Sequence, residues 1–85
     1  MENVQDKRTW NYRVMEFVEG SETWREIREV HYDKGVPTGY SAVSADVSWN
    51  PNDGDNDSTP MAILDRMREA LSKPVLTPKD FLSEV

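Results

Sequence analysis

Two long β-favouring runs, Trp10 to Val18 and Thr23 to Tyr32, are separated only by Glu19-Gly20-Ser21-Glu22. No other feature constrains the fold as strongly. A polar turn that short, with a glycine able to take positive φ, joins two strands as an antiparallel hairpin and in no other way. By period-two alternation Trp10, Tyr12, Val14, Glu16 and Val18 share one face of the first strand. Asn11, Arg13, Met15 and Phe17 share the other. Both faces carry apolar side chains, which predicts a central strand or one half-covered on its second face.

The second run alternates imperfectly, because Trp24, Val30 and Tyr32 have one parity and Ile27 the other. A β-bulge within Glu26 to Glu29 is the expected remedy. A helical reading of Glu22 to Val30 has some support from three-residue spacing. The β-favouring Val30-His31-Tyr32 end and the following Asp33-Lys34-Gly35 turn favour the strand. A third strand is expected over about Gly39 to Val47. Asn50 to Asp57 then forms a loop with almost no apolar content.

Ser58 or Thr59 caps a helix that Pro60 begins, and Pro74 limits it to Pro60–Ser72. Its apolar positions are Ile63, Leu64, Met67, Ala70 and Leu71. Thr77-Pro78-Lys79-Asp80 repeats the start signal in miniature and predicts a terminal helical turn carrying Phe81 and Leu82. The expected fold is therefore α+β. It comprises a lead-in over 1–9 and one domain over 10–85, a three-stranded antiparallel meander with one helix on one face. The Pro74 to Leu82 tail is expected along an edge. The expected core is Trp10, Tyr12, Ile27, Ile63, Leu64, Met67 and Leu71.

No residue pattern demands a particular chemistry. Asp53, Asp55 and Asp57 imitate the first three ligands of a calcium loop, but Ser58 stands where the sharp turn needs Gly and Leu64 where the bidentate Glu belongs. His31, the single histidine, has no serine or acid at a spacing that links them catalytically. Glu16, Glu26 and Glu29 sit among Arg13, Arg25 and Arg28, which reads as ion pairing across strands rather than glycosidase chemistry. With no cysteine, thiolate metal sites, disulfides and cysteine nucleophiles are excluded. A net charge of −6 argues against binding nucleic acid or anionic membranes. No apolar run suits a signal peptide or a membrane span, so a cytoplasmic location is expected. No cofactor or metal is expected, and no enzymatic activity.

Three stretches carry a resemblance: Trp10-Asn11-Tyr12-Arg13-Val14, Glu29 to Pro37, and Met67 to Leu76. They resemble a family of small uncharacterised bacterial and phage-borne proteins. That family has a W-N-Y-R-V start, an E-V-x-Y-D turn closing on G-x-P, and an E-A-L-x-K-P-V-L end. Where similar sequences have a shorter, Glu-rich helix start, this chain carries its Asn- and Asp-rich loop. The resemblance supports the fold and implies nothing about chemistry.

The function expected from these residues is a non-enzymatic protein-interaction or regulatory module acting through an exposed sheet face or edge. The alternative is an acidic inhibitor, phage-derived, occupying the basic nucleic-acid groove of a larger protein. Candidate partner-binding residues are Arg13, Met15, Phe17 and Trp49 for the first, with Asp53, Asp55 and Asp57 for the second. One helix cannot cover both sheet faces, so Met15 and Phe17 need a second cover. A two-fold homodimer is expected to supply it, and the Phe81-Leu82 segment is the intramolecular alternative.

Overall fold

In a computed structural model, described here over residues 8–52 and 59–81, the chain forms the expected α+β architecture. Strands β1 (Arg8–Glu19), β2 (Glu22–Asp33) and β3 (Val36–Tyr40) make an antiparallel sheet in the order β1-β2-β3. Helix α1 (Pro60–Ala70) and a 3-10 turn (Pro78–Asp80) follow. The first strand thus begins inside the expected lead-in, at Arg8.

Both hairpins close through two-residue loops of the primed type, whose twist matches that of the strands. Gly20 alone takes positive φ (62°) between Glu19 and Glu22, as a II′ turn requires. Lys34 (φ 55°) and Gly35 (φ 83°) both take it between Asp33 and Val36, the I′ pattern.

The β1–β2 register is unbroken from Arg8↔Asp33 to Glu19↔Glu22, so the bulge expected within Glu26 to Glu29 is absent. Ile27 pairs with Val14 and lies on the helix side. Val30 and Tyr32, of opposite parity, pack into the other face. The imperfect alternation of β2 therefore marks a strand with apolar residues on both faces, and β2, not β1, is the central strand. The one irregularity falls between β2 and β3, where His31↔Gly39 and Tyr32↔Pro37 leave Thr38 as an extra residue.

β3 stops at Tyr40, short of the expected Val47, because Ser41 diverts the ladder. Its hydroxyl accepts the Glu29 N–H (3.2 Å) and donates to the Val43 carbonyl (2.8 Å), while its own N–H donates to the Glu29 carbonyl (2.9 Å). A side chain that bonds nearby backbone competes directly with strand pairing.

Thr59 caps α1, its Oγ1 accepting the Ala62 N–H at 3.2 Å, and Pro60 opens the first turn. The helix ends at Ala70 rather than Ser72, the last turn tightening through Leu71 N–H to Arg68 O and Lys73 N–H to Ala70 O. Two small cores result. Tyr12, Ile63, Met67 and Ala70 fill one face, flanked by Val14, Ile27 and Ala45; Met15, Val30 and Phe81 fill the other, flanked by Phe17, Tyr32, Tyr40 and Leu76.

Three members of the expected core lie outside it: Trp10 is 43% exposed, Leu64 50% and Leu71 69%. Ile63, Met67 and Ala70 stand at i, i+4 and i+7 and point into the sheet. Leu64 and Leu71 lie one residue, about 100°, further round the helix, beyond the reach of a three-stranded sheet.

The tail docks along the β1 edge as expected. Leu76 bridges Met15 in parallel, with Glu16 N–H to Leu76 O at 2.8 Å and Leu76 N–H to Val14 O at 3.0 Å. Beyond it, Phe81 folds onto the second face and closes over Met15 and Val30, meeting the Tyr40 ring at 4.8 Å. Met15 is completely buried by its own chain, so the cover it needs is intramolecular.

Candidate interaction surface

Arg13, Met15 and Phe17 share the second face of β1, as their parity predicts, but the fold engages all three internally. The Arg13 guanidinium donates to the Tyr32 hydroxyl (3.1 Å) and to the Pro74 carbonyl (2.7 Å), clasping the helix exit to the sheet. Tyr32 in turn donates to Asn11 Oδ1 at 2.7 Å. Met15 is a core side chain with no surface to offer. Phe17 is half-buried, stacked on Trp24 (5.9 Å between centroids), with the Arg28 guanidinium 4.5 Å above its ring. Arg28 is itself paired with Glu26. Trp49 is half-exposed near the end of the described segment. Asp53, Asp55 and Asp57 lie outside the described residues.

The glutamates of the strands are used in part as expected. Glu16 pairs with Arg25 directly across the ladder at 2.8 Å. Glu26 pairs along its own strand with Arg28 and accepts the Trp24 indole N–H at 3.1 Å. His31 is exposed, and its ring makes no hydrogen bond among the described residues. No group of acids and histidines among the described residues could hold a metal ion, and no helix there is long and apolar enough to cross a membrane.

One surface that remains available lies on the helix side. α1 packs against β1 and leaves the Val14–Ile27 pair half-covered. There the sheet floor and the helix exit enclose an open groove of about 340 Å³, with Leu71 and Val75 as walls and Arg25, Glu26 and Lys73 at the rim. Arg25 and Glu26 are already paired, to Glu16 and Arg28, so among the described residues Lys73 is the rim charge without an ion pair.

Further along α1, Leu64 and Met61 (71% exposed) also face outward. The sequence carries a signal for these residues in the width of the apolar arc of α1, which exceeds what one face of a three-stranded sheet covers. Comparisons with protein-family models, with curated proteins and with solved structures found no match.

Proposed function

We infer that the protein is a non-enzymatic interaction module whose contact surface is the groove between the hairpin and the helix exit, together with the outer flank of α1. One observation carries this reading: Leu71 and Val75 are exposed and wall the half-open Val14–Ile27 floor, and Leu64 and Met61 are exposed further along the same helix. Exposed apolar residues scattered singly need no explanation, but a contiguous patch rimmed by polar groups is the mark of an interaction site. The second sheet face, the other candidate, is supplied with its own cover by Phe81 and Leu76.

The test is a capture experiment from native lysate with the full chain, comparing wild type with Leu71→Asp and Leu64→Asp. Both positions are exposed, so each variant is expected to stay folded, losing no more than about 1–1.5 kcal/mol to helix propensity and the helix dipole. A protein retained by wild type and lost from both variants supports the reading. An unchanged set of captured proteins sinks it.

A further inference from the structure

β2 is the central strand over only part of its length. Leu76 takes the Val14 C=O and the Glu16 N–H on the outer edge of β1, so the odd-numbered residues of β1 bond to β2 through their even-numbered partners. The odd-numbered residues of β2 therefore turn their N–H and C=O groups to its far edge. Ser41 satisfies both groups of Glu29 there, and the Ala45 N–H donates to the Ile27 carbonyl at 2.8 Å. Beyond that the pairing stops. Among the described residues nothing meets the Ile27 N–H, or the N–H and C=O of Arg25 and Thr23. From Thr23 to Ile27 about 17 Å of sheet edge is open.

Alternating donors and acceptors at strand spacing fit another extended backbone. A helix cannot answer them, having spent its own N–H and C=O groups internally. The protein shows such a fit on its opposite edge, where Leu76 holds β1 through two N–H to O bonds of 2.8 and 3.0 Å. Pro74 and Pro78 cut that added strand short, each two residues from Leu76, where a parallel ladder needs its next N–H. Pro37 and the extra residue Thr38 blunt β3. The Thr23–Ile27 stretch has neither a proline nor a bulge, and its register with β1 is unbroken. Ile27, where the open edge ends, is also the floor of the groove walled by Leu71 and Val75.

We propose that the Thr23–Ile27 edge of β2 receives an extended segment of a partner protein, which continues the sheet and lays an apolar side chain into the groove beside Ile27. A second copy of this chain fits poorly. Two-fold antiparallel pairing sets one residue opposite itself, and the register that uses the whole stretch sets Arg25 against Arg25. It also gives Ile27 the polar Thr23 as its neighbour, and nothing apolar for the groove.

The inference rests on the module reading and names the partner's conformation there. The probes are two peptides about eight residues long, alternating Val and Thr, with a lysine at each end against self-pairing. They are identical except that one is N-methylated at its valines. Those N–H groups face β2 when the valine side chains face the groove, because directly opposed residues share a sheet face. Each peptide is titrated into isotopically labelled full-length protein, and amide shifts and hydrogen exchange are followed.

In the free protein the Thr23, Arg25 and Ile27 amides should exchange faster than those of Trp24 and Glu26, which bond to β1. The unmethylated peptide should slow all three and bind at least about tenfold tighter than its twin, a difference of about 1.4 kcal/mol. Arg25→Pro, which removes an edge N–H and no β1 ladder bond, should abolish binding that Arg25→Ala retains. Equal binding of the twins, or no shift with either at about 1 mM, overturns the proposal. Slow exchange of the three amides in the free protein also overturns it. If independent of concentration it means that the chain covers its own edge, and if rising with concentration that a second copy does. Should the strand fail while Leu71→Asp still abolishes capture from lysate, the module reading stands. Should capture be unchanged while only the unmethylated peptide protects the edge, the module reading is the one that falls.

Discussion

Phe81→Ala tests the feature on which the second face depends. Phe81 is 9% exposed, closes over the fully buried Met15 and Val30, and makes an edge contact with Tyr40 at 4.8 Å. Truncating a buried phenylalanine removes its transfer free energy and leaves a cavity, together costing about 3–5 kcal/mol. A domain of this length has a total stability of about 4–12 kcal/mol at 0.05–0.15 kcal/mol per residue. The variant should therefore lose about a quarter or more of the total stability.

Urea unfolding followed by tryptophan fluorescence measures the loss as a fall in midpoint at nearly constant slope. Leu64→Ala is the matched control: Leu64 is half-exposed, and its removal should change stability by no more than about 0.5 kcal/mol. A loss below about 1 kcal/mol for Phe81→Ala would show that the tail does not cover Met15. A larger effect for Leu64→Ala than for Phe81→Ala would mean that α1 docks through Leu64 and Leu71, and would refute the core assignment.

Lys34 holds φ at 55° in the I′ turn, where Asn is better tolerated, so Lys34→Asn should raise stability by about 0.5–1 kcal/mol in the same assay. Arg13→Ala removes the clasp on the Tyr32 hydroxyl and the Pro74 carbonyl and should cost about 1.5–3 kcal/mol, with amide exchange rising first at Val75 and Leu76. Calorimetric titration with Ca²⁺ should give no micromolar site, since Ser58 and Leu64 occupy the two positions that define a calcium loop. Neutralising Asp53, Asp55 and Asp57 together should leave capture of a partner by the helix flank intact. A steep loss on that change, matched by strong salt sensitivity, would instead favour an acidic inhibitor of a basic groove.

Much of the fold is written locally. Gly20 and Gly35 fix the two turns, period-two alternation sorts Tyr12 and Val14 from Met15 and Phe17, and Thr59-Pro60 starts the helix. Each of these depends on backbone dihedrals and hydrogen bonds within a few residues, so the sequence by itself determines it. Tertiary structure decided the rest. Ile27 takes the helix side without a bulge because β2 is central and buries residues on both faces. β3 ends at Tyr40 because the Ser41 hydroxyl finds Glu29 once the strands are side by side. Above all, the apolar arc of α1 does not say which half of itself docks. The narrow sheet accepts Ile63, Met67 and Ala70, and Phe81 takes the second face that another molecule was expected to cover. That leaves Leu64 and Leu71 outside, because only the sheet's width and the tail's reach, neither of them a local property of the chain, determine how much apolar surface finds cover.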